Sequence, residues 1–193
     1  EIFKNGSTTY YWSSMFFPEN TRDDVIKLYS FVRVVDNFVD EIPQDKKSFM
    51  QIKKAWAAII KTKKAPSQKL SSDIRLAVQN MYDVYTKYSF DKIWVSAFFA
   101  SMEADIQKRK YKNLEDTITY MYGSAEVIGL MMAKIIGVPE QGYEAAMLQG
   151  RAMQYINFIR DIAEDNELGR LYFPESELKK YGLPDVSVAS AYK

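Results

Sequence analysis

The chain has no cysteine and no histidine among its 193 residues. The first absence excludes disulfides, thiolate nucleophiles and zinc–sulfur centres. The second excludes serine–histidine–aspartate catalysis, imidazole-ligated metals and histidine general bases. A metal bound here must take oxygen ligands, which points to Mg²⁺, Mn²⁺ or Ca²⁺. Charge of one sign is not in excess either. Its 26 basic residues face 25 acidic ones for a net charge of +1, so no global field draws in nucleic acid. Long apolar runs are missing too. The longest, Tyr120 to Val138, is interrupted by Glu126 and Lys134 and by Gly123, Gly129 and Gly137, and falls short of the ~18 residues a spanning helix needs. No signal peptide is visible, and the chain reads as cytoplasmic, with peripheral membrane contact as the alternative. Strand signals are as sparse. The lone Asn5-Gly6 stands near the start rather than between alternating apolar runs.

What is present is apolar and helical. Hydrophobic residues make up 47% of the chain, enough for one core in a single domain spanning 1–193. Aromatics reach 15%, which fits a very aromatic core or a large apolar ligand. The prolines Pro18, Pro43, Pro66, Pro139, Pro174 and Pro184 punctuate stretches of helical period. Those stretches predict helices at roughly 21–41, 45–63, 69–88, 91–109, 113–137 and 140–166. Asn20-Thr21 is expected to cap the first, and Asn113 the one beginning near Leu114. The fold class is an all-α bundle. Between 44 and 69 lie Lys46, Lys47, Lys53, Lys54, Lys61, Lys63, Lys64 and Lys69. The plain interpretation is a solvated helix face and loop; the sharper one is a patch for anionic lipid headgroups.

Two segments put carboxylates on apolar stripes. Asp36 and Asp40 are four apart, so on a helix they share a face with Val25, Tyr29, Val32 and Arg33. Asp161 and Asp165 repeat the spacing, on a stripe with Tyr143, Met147, Gly150, Gln154 and Asn157. Both stripes are expected to face the bundle interior. Like charges there cost several kcal/mol each unless neutralised. Divalent cations between the pairs, completed by an anionic ligand, would do so, and Mg²⁺ commonly combines a few carboxylates with substrate phosphates. A single such pair is a weak signal; two, each beside an arginine, are not.

These segments resemble the squalene/phytoene synthase family. Arg33 through Asp40 is similar to its first aspartate-rich motif, Asn157 through Asp165 to its second, and Gly169-Arg170-Leu171-Tyr172-Phe173-Pro174 to the signature that follows. Tyr120-Met121-Tyr122-Gly123 through Gly129 resembles its Tyr-x-Tyr…Gly segment, Ser101 to Asp105 its Met-x-x-Asp stretch, and Ser7-Thr8-Thr9 its small-hydroxyl motif. The resemblance implies an isoprenoid-synthase-type helical bundle with a central cavity. It implies that Asp36, Asp40, Asn157, Asp161 and Asp165 hold Mg²⁺ or Mn²⁺. Arg33, Arg160, Arg170 and Tyr172 would contact diphosphate, since an arginine fork donates two hydrogen bonds at once. Ser7, Thr9 and Tyr29 would line the first diphosphate site, with Gln154 and Tyr122 near the reacting carbons. The chain departs from the pattern at Glu126, where the family has a small residue, and at Lys110-Tyr111, where it has Arg-Tyr. Family members also continue through further helices, so the chain reads as C-terminally truncated.

The implied reaction joins two prenyl diphosphates, C15 or C20, head to head through a cyclopropylcarbinyl diphosphate. Phe98, Phe99, Met102, Met131 and Met132 are candidates to line the hydrocarbon site, with core packing as the plainer role. No Gly-rich nucleotide fingerprint follows a strand, which disfavours NADPH and favours a phytoene synthase-like outcome over squalene or dehydrosqualene synthesis. A head-to-tail synthase or terpene cyclase is a further reading, though the first motif is sparse in aspartate for one. A non-catalytic assembly protein is another, set against the retention of all four aspartates.

Overall fold

The structure is a computed structural model that describes residues 12–187. Helices account for its regular elements, and among the described residues the only pairing of extended backbone is a single parallel bridge, Lys110 with Leu171. Internal contacts divide the chain into two compact units, one running to Asp91 and including Met131–Val138, the other comprising Lys92–Leu130 and the chain from Pro139 onward.

In the first unit, α1 (Glu19–Asp40), α2 (Lys46–Thr62) and α3 (Ser72–Lys87) pack on one another. Their apolar positions recur at three and four residues, as an inward stripe requires. Leu28, Phe31, Val35 and Val39 of α1 meet Phe49, Ile52, Trp56 and Ile59 of α2 and Ile74, Val78, Met81 and Val84 of α3, all buried. Trp56 stands edge-on to Tyr85 at 5.3 Å. The Asp45 side chain caps α2 by accepting from Ser48 N–H, and Ser71 caps α3 through Ile74 N–H. The expected Asn20-Thr21 cap is not used. Helix α1 begins earlier, at Glu19, because the extended backbone of Pro18 (φ −51°, ψ 147°) already turns into it and accepts from Arg22 N–H.

In the second unit, α4 (Lys92–Gln107) is followed by α5 (Leu114–Met121), a π-helical turn (Tyr122–Glu126) and α6 (Val127–Ile135), whose last turns belong to the first unit. Asn113 caps α5, as its sequence position predicts, accepting from Asp116 N–H at 2.9 Å. The stretch expected as one helix over 113–137 carries the π turn because Val127 N–H reaches back five residues to Tyr122 O. The turn packs on α4 and on α7 (Tyr143–Arg160). Its approach to α4 is so close that a Cβ on Gly123 would run into the Ala97 carbonyl, and one on Gly150 of α7 would stand 2.7 Å from Ala125 O. The 140–166 helix is likewise divided. A 3₁₀ turn (Glu140–Gly142) leads into α7, and Asp161 (φ −99°, ψ 16°) separates α7 from α8 (Ile162–Glu167). A last helix, α9 (Glu175–Lys180), lies beyond the predicted ones. No helix among the described residues is long and apolar enough to cross a membrane.

Candidate functional site

Helix α1 presents Tyr29, Arg33 and Asp36 half-buried and Asp40 exposed. This corrects the expectation of an interior stripe. The buried arc of α1 runs through Leu28, Phe31 and Val35, about a third of a turn from the stripe at ~100° per residue. The carboxylates therefore line the margin of the core. Their repulsion is partly solvated, and burial cost alone no longer demands a cation.

Helix α7 matches its expected stripe more closely. Tyr143, Met147, Gly150, Gln154, Asn157, Asp161 and Asp165 are all half-buried, while Leu148, Met153, Ile156 and Ile159 are exposed. Asn157 Nδ2 donates to Gln154 Oε1 at 3.4 Å. Arg160 grips its neighbour Asp161 with both prongs of its guanidinium, Nε to Oδ1 and Nη2 to Oδ2, each at 2.6 Å. Asp165 N–H bonds Asp161 O, and Arg170 N–H bonds Asp165 O at 2.7 Å, so the backbone folds back just after the second pair. Gly169, at φ 68°, makes that reversal, a conformation a side chain would resist.

The segment after the reversal is strapped to the end of α4 and the start of α5. Leu171 N–H bonds Arg109 O, Glu175 N–H bonds Tyr111 O and Thr117 Oγ1 donates to Tyr172 O. Beneath the strap lies a feature to which the sequence assigned no role. Asp105 is buried and accepts from Tyr120 Oη at 2.8 Å and Tyr172 Oη at 2.6 Å. Burial, then the charge of Asp105, push both phenols well above their ordinary pKa, so they stay protonated donors. Tyr172 also stacks on Phe158, centroids 4.5 Å apart and planes 4° from parallel. Arg170 is buried as well, with Nη2 donating to the Asp105 carbonyl at 3.3 Å. Tyr172 and Arg170, expected at diphosphate, thus both face the interior of their own unit. In the sequence Asp105 stood only as the end of the Ser101–Asp105 stretch that resembles the family's Met-x-x-Asp segment.

Tyr122 opens the π turn and is half-buried. Glu126 closes it and is 1% exposed. Its partner is Arg151 of α7, Nε to Oε1 at 2.6 Å; Oε2 has no hydrogen-bond partner among the described residues. Phe98, Phe99, Met102 and Met131 are all buried core residues, and Met132 is half-buried. Ser7 and Thr9 lie outside the described residues. Among the described residues no three acidic side chains gather around one point. The donors available to a cation are oxygens throughout, which suits Mg²⁺ in chemistry; both oxygens of Asp161 are already held by Arg160.

The family model for squalene/phytoene synthase matches residues 3–192. A 15-cis-phytoene synthase of Enterobacter agglomerans is 31% identical over 193 residues, covering 95% of this chain and 63% of that protein. The chloroplastic phytoene synthase 1 of Arabidopsis thaliana is 27% identical, covering 97% and 45%. Among solved structures, a dehydrosqualene synthase superposes with TM-score 0.79 at 21% identity over 94% of this chain and 61% of its own. A squalene synthase of Alicyclobacillus acidocaldarius gives 0.71 at 20%, over 94% and 66%. The chain spans about three-fifths of the bacterial phytoene synthase, and its helical architecture is that of these synthases. With a family match that takes in both aspartate pairs and the strap, the chain belongs to the squalene/phytoene synthase family.

Proposed function

We propose that this chain carries the catalytic helices of a synthase that joins two prenyl diphosphates head to head, with two C20 substrates and a phytoene-type product. The observation that carries the reading is the family match over 3–192, which includes Asp36, Asp40, Asp161 and Asp165. Arg33 and Arg160 bind diphosphate oxygens and Tyr29 positions the first substrate. Of the five N–H donors of Arg160, two hold Asp161. Asp36, Asp40, Asn157, Asp161 and Asp165 would hold Mg²⁺, which neutralises charge on the departing diphosphate. Loss of diphosphate leaves an allylic cation; the second substrate's double bond attacks it and gives a cyclopropylcarbinyl diphosphate. A second ionisation rearranges the carbon skeleton, and loss of a proton sets a central double bond. Water must be excluded throughout, because it would trap either cation as an alcohol. Tyr122 and Gln154 would sit near the reacting carbons, and with no histidine in the chain the departed diphosphate takes the proton.

The test is chromatography of the hydrocarbons formed from C15 and from C20 diphosphates with Mg²⁺, with and without NADPH. A C40 product with a central double bond, made without NADPH, is expected. A saturated central bond appearing only with NADPH would move the assignment to squalene-type reduction, and product from isopentenyl diphosphate plus an allylic primer would refute head-to-head joining.

A further inference from the structure

The lysine-rich segment plays no part in this chemistry, and its geometry differs from that of an ordinary solvated face. Residues 46–72 hold eight lysines and no acid, +8 in a chain of net charge +1, which leaves −7 for the remainder. Most of the segment is helix α2. Its apolar side is filled by Phe49, Ile52, Trp56 and Ile59, all buried. The opposite side is exposed and carries Lys46, Lys47, Met50, Lys54, Ala57, Ala58 and Lys61. Lys47, Lys54 and Lys61 are seven residues apart, so they form a nearly straight row of about 21 Å along the axis, one lysine every ~10 Å. Lys63, Lys64 and Lys69 extend the positive surface past the helix end and are exposed too.

A solvated helix face normally mixes signs, because pairs at i,i+4 then support the helix. Here none of Lys54, Lys61, Lys63, Lys64 and Lys69 is ion-paired among the described residues, and Lys47 lies near Asp45 at the helix start. The spacing of ~10 Å equals the screening length at ~0.1 M salt, so each lysine repels the next and all are drawn together toward one extended negative surface. Met50, 41% exposed, and the alanines between the lysines give that face apolar patches at the same level.

We infer that the exposed face of α2 is a docking surface for an anionic lipid bilayer. A bilayer is flat over the whole length of the row and presents anionic headgroups above apolar chains, the same alternation that the lysines and Met50 offer. The −7 carried by the rest of the chain turns other faces away, so attachment is orientated. This does not depend on the proposed reaction, and its test uses no prenyl substrate.

The measurement is co-sedimentation with vesicles of phosphatidylcholine alone and with about 30% phosphatidylserine. Binding only to the anionic vesicles, lost in ~0.5 M KCl, is expected. At roughly fivefold per lysine near a charged surface, the triple variant Lys47→Gln, Lys54→Gln, Lys61→Gln should partition about 100-fold more weakly. Its melting temperature should stay at the wild-type value, since all three side chains are exposed. The triple Lys→Arg variant should bind as wild type, and so should Lys179→Gln with Lys180→Gln. Failure to bind anionic vesicles, equal binding to both vesicle types, or a triple Gln variant that binds normally each overturns the proposal. Displacement from vesicles by duplex DNA at equal phosphate concentration also overturns it, since the face would then be a general polyanion site.

Discussion

At the residue scale, Asp24 shows how this chain pays for a charge in its core. It is 2% exposed and receives Lys87 Nζ at 2.5 Å and Tyr88 Oη at 2.8 Å. Burial alone raises its pKa, but the hydrogen bonds from Lys87 and Tyr88 outweigh that and leave it below the ordinary 3.8. A carboxyl lowered on folding contributes stability above its unfolded pKa and loses it as pH falls through the lower folded value. Lys87→Met should therefore destabilise near neutral pH, and by much less once Asp24 is protonated. Thermal melts of both proteins from pH 7 down to pH 3 check this; a constant difference would mean that Lys87 acts through packing. The aspartates of the two motifs should behave in the opposite way. Asp36 and Asp161 are half-buried, and Arg160, which holds Asp161, is 67% exposed in its side chain. Asp36→Asn or Asp161→Asn should remove most turnover while shifting stability by no more than about 0.5 kcal/mol. Steady-state rates beside melting curves test it, and a large stability loss would mark these residues as structural. The motif positions were legible because their spacing is local. The pairings of Asp24 and Asp105 were not, because their partners Lys87, Tyr88, Tyr120 and Tyr172 lie 15 to 67 residues away and no periodicity reports a contact at that distance.

At the scale of elements, the helices themselves were legible, since stripes at three and four residues mark each one and local side chains set the caps at Asp45, Ser71 and Asn113. The departures have a different origin. The π turn over Tyr122–Glu126 and the break at Asp161 keep helical composition, so only tertiary contacts reveal them. The π turn brings Glu126 under α7, where Arg151 is its partner. This pair joins two elements whose backbones already touch at Gly150. Removing Arg151, whose side chain is 33% exposed, leaves the buried Glu126 carboxylate without its partner, so Arg151→Met should cost about 1–3 kcal/mol. The double variant Glu126→Leu, Arg151→Met removes both charges at similar volume and should recover most of that loss. Denaturant midpoints of the two single variants and the double give the coupling directly. Additive losses would show that the carboxylate is neutralised by something other than Arg151.

At the scale of the whole molecule, the first aspartate pair belongs to one compact unit and the second to the other. Sequence spacing placed each pair on its helix, and ligand linkage measures what each pair binds. Under the proposed reading, Mg²⁺ and diphosphate complete one another's binding: the metal needs anionic oxygens beyond those of the chain, and the anion needs the metal's charge. Ligands that bind only the folded state stabilise it by RT ln(1 + [L]/Kd), about 2.7 kcal/mol at a hundredfold excess over Kd. For a chain of this size, 1 kcal/mol moves the melting temperature by roughly 2–4 °C. Mg²⁺ with inorganic diphosphate should therefore raise it by about 5–10 °C, whereas each alone should raise it by much less. Excess EDTA should abolish the shift. Asp36→Asn and Asp161→Asn should each reduce it, because either change removes a carboxylate oxygen from one of the proposed magnesium ligands. If the shift survives in one variant, the aspartate changed there does not hold the ligand and its proposed role fails. A flat melting temperature with both ligands present would remove the basis for a diphosphate site in this chain altogether.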